Sequence, residues 1–263
     1  MRLGGYDYPF KRQLRPIVRF TRYLGLEQQD VLVAAYPKSG STWLRFIVTE
    51  LLTSEDPEWQ LVNATIPYVG RHRRAPRLLP DGGRLLLTHD PARGPCLRSV
   101  YLVRDVREVA VSSFRWARRG GADTAFRSFL DEFAAGRTDL FGSWAEHVRY
   151  WLDSDAARRG DVHLVRYEDL RNDPIASVRR VAEHLGIHPS DEEITRAVHD
   201  NSLTRMRAKE DRAPDSEVKS HASGEPFVGQ GGIGSWRSKL TPDDVALLDR
   251  YAHDELVRLG YGG

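Results

Sequence analysis

Val31-Leu32-Val33-Ala34-Ala35-Tyr36 is an unbroken apolar run ending on the turn Pro37-Lys38-Ser39-Gly40, after which apolar residues return at a different period. A short continuous run of this kind suits a strand buried on both faces, as in parallel sheets. From Thr42 the residues Leu44, Ile47, Val48, Leu51 and Leu52 recur at intervals of three and four until Asp56-Pro57, which predicts a helix. Further strands are expected at Arg84–Thr88, Ser99–Val103 and Val162–Tyr167, the second running into a helix from about Val106 to Trp116. Asp173-Pro174 supplies a capping carboxylate and a first-turn proline for a helix ending near Leu185. Helices are also expected at Phe126–Ala135, Trp144–Ala157 and Ser190–Asn201. A last one is capped by Thr241, begins at Pro242-Asp243-Asp244 and carries the stripe Val245, Leu248, Ala252, Leu256. Strands alternating with helices predict an α/β fold of three layers, a P-loop-like central parallel sheet flanked by helices. A chain of 263 residues is expected to form one domain, 1–263, with 1–30 as an N-terminal extension.

A strand, a tight turn and a helix start make an anion site, because backbone N–H groups converge where the helix dipole is positive. Lys38 adds a full charge there. The NTP-hydrolysing pattern places its lysine directly after a glycine at the end of the loop; here Lys38 precedes Gly40, so the fit to ATP is poor. Read alone, the segment is equally compatible with an ordinary strand–helix turn in which Lys38 is solvated and Trp43 is core.

Tyr36-Pro37-Lys38-Ser39-Gly40-Ser41-Thr42-Trp43 resembles the 5′-phosphosulfate loop of the cytosolic-type sulfotransferases, as in a bacterial-like member of that family. The resemblance implies 3′-phosphoadenosine 5′-phosphosulfate (PAPS) as donor and no metal. It implies that Lys38 contacts the bridging oxygen, that Ser39, Gly40, Ser41 and Thr42 cradle the 5′ phosphate, and that Trp43 stacks on adenine. The segment Tyr101 to Ser113 is similar to the family's 3′-phosphate segment, which assigns Arg104 and Ser112 to that phosphate. A guanidinium at a strand's carboxyl end and a hydroxyl two turns into the next helix can meet one phosphate from two sides. Weaker matches are Val165 to Leu170, which brings in Tyr167, and Phe227 to Arg237, which brings in Gly229, Gln230 and Gly231.

Sulfuryl transfer to a hydroxyl needs an acceptor proton removed and charge on the departing oxygen neutralised. His89 follows the strand that ends at Thr88 and resembles the family's catalytic histidine; His89 is the expected base and Lys38 the expected group at the leaving oxygen. Two departures stand out. Leu87 replaces a lysine, so Arg93 or Arg115 is a candidate substitute. Gly229-Gln230-Gly231 stands where relatives carry Arg-Lys-Gly. The family's dimerisation pattern is not matched across Arg237, Thr241-Pro242 and Ala246, so no oligomeric state follows. The competing readings are a kinase using the same loop and a catalytically silent nucleotide-binding protein.

The acceptor is expected to be a small-molecule or glycoconjugate hydroxyl, lined by residues between Trp59 and Asp81 and between Arg115 and Trp144. Trp116, Phe126, Phe129, Phe133, Phe141 and Trp144 are the available aromatics. Lys and Arg total 39 against 37 acidic residues, which gives no reason to expect a nucleic-acid partner. One cysteine, Cys96, fits a reducing compartment; with no signal-like start and no long apolar run, a cytoplasmic protein without a membrane span is expected. Residues 209–226 are polar and aperiodic and read as a mobile loop or lid. The run Arg71 to Arg77 reads as a solvated loop or a grip on an anion, and Lys11 to Leu24 as a weakly amphipathic stretch, membrane-facing or packed on its own domain.

Overall fold

The structure is a computed structural model that describes residues 21–91, 97–214, 226–229 and 231–262. Its elements in chain order are β1 (Val31–Ala35), α1 (Ser41–Thr53), α2 (Trp59–Thr65), β2 (Leu85–Thr88), β3 (Ser99–Val103), α3 (Val106–Arg119), α4 (Phe126–Ala134), α5 (Trp144–Leu152), α6 (Asp155–Arg158), β4 (Val162–Arg166), α7 (Tyr167–Asn172), α8 (Pro174–Leu185), α9 (Asp191–Asp200), α10 (Leu203–Arg212) and α11 (Pro242–Arg258). Short 3₁₀ turns lie at His72–Arg74 and Ser235–Ser238.

The four strands are parallel in the order β2-β1-β3-β4, with Leu32 of β1 opposite Leu86 on one side and Ser99 on the other. Successive side chains of a strand point to opposite faces, and the apolar run of β1 therefore feeds two cores. Val31, Val33 and Ala35 pack with Leu87, Val100 and Leu102 against Leu44 and Ile47 of α1 and Val178 and Val181 of α8. Leu32, Ala34 and Tyr36 pack with Leu86, Tyr101 and Val103 against Val109 of α3, Phe133 of α4, Val148 of α5 and Leu248 of α11. The central parallel sheet with helices on both faces is the expected three-layer fold, and α1 and α3 both start at the carboxyl ends of central strands.

Several boundaries differ from the expectation, each for a local reason. The helix expected over Trp144–Ala157 is broken after Leu152, where Ser154 accepts a hydrogen bond from the Ala157 N–H and starts α6. Tyr167 belongs to α7, not to the strand. The helix after β3 continues past Trp116 to Arg119. The segment expected to be a loop from Lys209 opens instead with the last turn of α10. Lys209 is 2% exposed there, with its ammonium 2.5 Å from Asp56 Oδ1 and 2.8 Å from Asn201 Oδ1. Residues 215–225 of that segment, and Cys96, Arg93, Gln230 and most of Lys11 to Leu24, lie outside the described residues. In the basic run His72 is buried, with Nδ1 accepting from the Gly70 N–H and Nε2 3.2 Å from the Leu24 carbonyl oxygen. None of Arg71 to Arg77 lines the cavity at the carboxyl ends of the strands that also takes in Lys38 and His89.

Candidate active site

The loop after β1 is built on an unusual backbone. Lys38 has φ 72° and Gly40 φ 100°, both in the left-handed region, and Gly40 occupies the N-cap position of α1. A Cβ on Gly40 would stand 2.6 Å from Tyr167 Cδ2, so a glycine is needed both for the turn and for the approach of α7. The turn opens onto a cavity of about 620 Å³ lined by Lys38, Gly40, Ser41, Thr42 and Trp43. Ser39 is placed differently: it is fully buried, is not among the lining residues, and its Oγ has no hydrogen-bond partner. Trp43 donates from Nε1 to the Asn201 carbonyl oxygen at 2.8 Å, its ring edge-on to Tyr167.

Arg104, Ser112, Tyr167, Gly229 and Gly231 line the same cavity. Arg104 leaves the end of β3, donates to the Gly232 carbonyl oxygen at 2.9 Å and lies 3.3 Å from Glu108 Oε2, with its guanidinium 4.3 Å over the Tyr167 ring. Its Nε is buried without a hydrogen-bond partner. Tyr167 in turn donates to the Gly231 carbonyl oxygen at 3.3 Å. Glu108, buried on α3, accepts from Ser235 Oγ at 2.8 Å and from the Trp236 N–H at 3.2 Å, which ties the glycine-rich segment to the arginine.

At the other end Lys38 stands between two rings, 4.6 Å from the centroid of Trp116 and 4.7 Å from that of Phe227. Burial, and then the neighbouring guanidiniums of Arg119, Arg115 and Arg104, pull its ammonium down to about 8. Phe227 is held by Glu210 of α10, which accepts from the Phe227 and Val228 N–H groups and lies 3.6 Å from Arg119. His89, just beyond β2, approaches the Ala35 carbonyl oxygen with Nδ1 at 2.7 Å and sits between the rings of Tyr68 and Phe141. A carbonyl only accepts, so Nδ1 carries the proton and Nε2 offers a lone pair, 3.5 Å from the Tyr68 hydroxyl. Burial, and then the charges of Arg45 and Lys38, push His89 down to about 4, against a hydrogen bond that favours the cation. Trp116, Phe129 and Phe141 line the cavity, whereas Phe133 and Trp144 are core and Phe126 packs beside Phe114. Leu87 is 1% exposed and faces the α1 side of the core.

The family model for the sulfotransferase domain matches residues 28–260. The chain belongs to the sulfotransferase family. It is similar to sulfotransferase 2A1 of Mus musculus, 27% identical over 255 residues that cover 88% of this chain and 86% of the relative. Sulfotransferase 1C2 of Oryctolagus cuniculus is 27% identical over 247 residues, covering 84% and 80%. Retinol dehydratase, solved with androsterone and the inactive cofactor PAP, superposes with a TM-score of 0.73 at 23% identity, over 92% of this chain and 85% of that one. Mouse sulfotransferase SULT7A1 complexed with PAP gives 0.70 at 21% identity, over 90% and 88%. The two curated relatives named, from Mus musculus and Oryctolagus cuniculus, give the expected bacterial-like placement no support. The sulfotransferase is a PAPS-dependent enzyme, and the kinase reading falls away.

The residues of this sulfotransferase suit PAPS, a donor whose leaving group is an adenosine bisphosphate. Gly40 keeps the loop open where a Cβ would collide with Tyr167, and the buried Arg104 Nε lacks a partner at the cavity wall. Among the described residues no group of three or more His, Cys, Asp or Glu side chains is placed to hold a metal ion. Sequence reasoning missed Tyr68, Glu108, Glu210 and Arg119. Only Glu108 carried a local signal, at four residues after Arg104 in the first turn of α3.

Proposed function

We propose that this sulfotransferase transfers the sulfuryl group to a hydroxyl of an apolar or aromatic small molecule, with His89 as general base and Lys38 at the departing oxygen. The observation that carries the proposal is the 2.7 Å approach of His89 Nδ1 to the Ala35 carbonyl oxygen, which sets the tautomer. The Ala35 carbonyl oxygen accepts a hydrogen bond from Nδ1–H, which leaves Nε2 as the basic nitrogen of a group neutral at physiological pH in the cavity wall. The donor supplies the sulfuryl group and a bisphosphate leaving group. Ser41 and Thr42 at the start of α1 bind its 5′ phosphate, Arg104 and Ser112 its 3′ phosphate, and Trp43 its base. Tyr167, Gly229 and Gly231 shape the wall between them.

His89 Nε2 receives the acceptor's hydroxyl proton. The Tyr68 hydroxyl orients that nitrogen until an acceptor hydroxyl takes its place. Lys38 meets the growing negative charge with its cation, which the anionic donor restores to full protonation by raising the depressed pKa. The Trp116 and Phe227 rings keep water off the ammonium. Tyr68, Phe129, Phe141 and Val111 give the acceptor end an apolar lining in a cavity large enough for a small ligand. Androsterone and retinol, bound by structurally similar retinol dehydratase, are apolar alcohols of that kind. A cytoplasmic setting fits the single cysteine.

Melting curves with adenosine 3′,5′-bisphosphate and ATP in parallel test the donor. A ligand at a hundred times its Kd adds about 2.7 kcal/mol of stability. A rise with the bisphosphate alone supports the reading; a rise with ATP alone refutes it. Labelled donor offered with a phenol, a sterol and an oligosaccharide tests the acceptor, and transfer confined to the oligosaccharide would overturn the apolar assignment.

A further inference from the structure

The donor cavity is walled on one side by a turn with no cationic side chain at two of its positions, since Gly229 and Gly231 both line it. What stands opposite Gly229 is Arg115 of α3. A Cβ built on Gly229 would lie 3.5 Å from Arg115 Nη1, so the guanidinium occupies the space into which a longer side chain at 229 would extend. Arg207 of α10 donates to the Gly229 carbonyl oxygen at 3.2 Å and fixes the turn from its other side.

Arg115 is one helical turn beyond Ser112 on α3, and residues three apart lie on one helix face. Both line the cavity, and Trp116 between them and Lys38 closes that wall. The charge of Arg115 is felt at Lys38, after that of Arg119 and before that of Arg104. Glu210, 3.6 Å from Arg119, offsets part of the repulsion among these cations, and an anion of high charge in the cavity would offset the rest. Two further cations line the cavity. Arg171 lies 5.5 Å from the Trp43 ring at the base-binding end, and Lys239 donates to Ser235 Oγ at 3.3 Å.

We propose that Arg115 is a donor-binding residue. Its guanidinium takes the 3′ phosphate of the donor from the side on which the turn at Gly229 and Gly231 offers backbone alone. Arg104 and Ser112 then hold the phosphate from the β3 side, and α3 supplies both the hydroxyl and the second guanidinium. A small residue at 229 is the condition for this arrangement, because only a longer side chain there would extend into the place of the guanidinium. The inference rests on the donor assignment above.

Titration calorimetry with adenosine 3′,5′-bisphosphate and adenosine 5′-phosphate separates the two claims, since the ligands differ in the 3′ phosphate alone. Arg115→Ala is expected to weaken the bisphosphate roughly 10- to 100-fold, the range of one charge-assisted hydrogen-bonding partner, and to leave the monophosphate within about twofold. The φ of Gly229 lies outside the left-handed region, so Gly229→Arg is sterically allowed there. In the Arg115→Ala background it should restore at least part of the lost affinity, whereas in the wild type it should not add to it. Equal losses for both ligands, or no loss for either, would overturn the role of Arg115. A wild-type protein that binds the monophosphate as tightly as the bisphosphate would instead remove the assigned 3′-phosphate site itself.

Discussion

His89 combines a fixed proton on Nδ1 with a basicity far below that of free imidazole, and the two properties have separable consequences. As a base it must be neutral, which it is above about pH 4, so the acid limb of kcat/KM is expected near that value. Lys38 must be charged, and in the free enzyme it loses its proton near pH 8, which sets the alkaline limb. Replacing Lys38 by Arg, whose charge persists beyond pH 12, should remove the alkaline limb from the profile and leave the acid one; an unchanged alkaline limb would remove Lys38 from that role. His89→Ala should lower kcat about 10²- to 10⁴-fold with bisphosphate binding nearly intact, and equal loss of both would remove His89 from the chemistry. The same histidine affects stability with a definite sign. Its folded pKa is below the ordinary 6.5, so the unfolded chain binds more protons between those values, and stability falls as pH drops from 6.5 towards 4. In His89→Gln that decline should be shallower in urea titrations.

Among the elements, the start of α1 depends on one backbone choice. Gly40→Ala puts a methyl group against Tyr167 in a conformation that L-residues avoid, at a cost of about 1–3 kcal/mol in urea unfolding and a loss of donor affinity. A variant as stable as the wild type would show that α7 yields easily. This junction was legible in the sequence, because a strand, its turn and the next helix are contiguous and each signal is local. α10 was not. Its last turn looks like loop because Lys209, Glu210 and Arg212 are charged, yet Lys209 is buried through Asp56 and Asn201, and Arg212 pairs with Glu58. Asp56 and Glu58, 153 and 154 residues from Lys209 and Arg212, leave no trace in the periodicity of the helix that needs them. The same holds for Glu210, which looks like one more loop carboxylate until the Phe227 and Val228 N–H groups meet it.

In the molecule as a whole, the sheet order brings the carboxyl ends of β1, β2 and β3 side by side, so Lys38, His89 and Arg104 converge although 51 and 15 residues separate them in turn. The strands announced that convergence through their continuous apolar runs, and hence the general position of the site. The approach of Arg115 to Gly229 needed three dimensions, since the two lie on separate elements far apart in the chain and nothing local to either points to the other. A second property belongs to the whole protein. Lys38 holds a left-handed backbone that glycine adopts more cheaply, with three guanidiniums nearby. Lys38→Gly should therefore raise donor-free stability by about 1 kcal/mol while transfer collapses, and a drop in midpoint instead would show that the lysine supports the fold. If that holds, selection for folding alone pulls this position away from lysine. In a lineage released from the reaction, glycine here would be an early and silent substitution, a mark by which retired copies of the enzyme could be told from working ones.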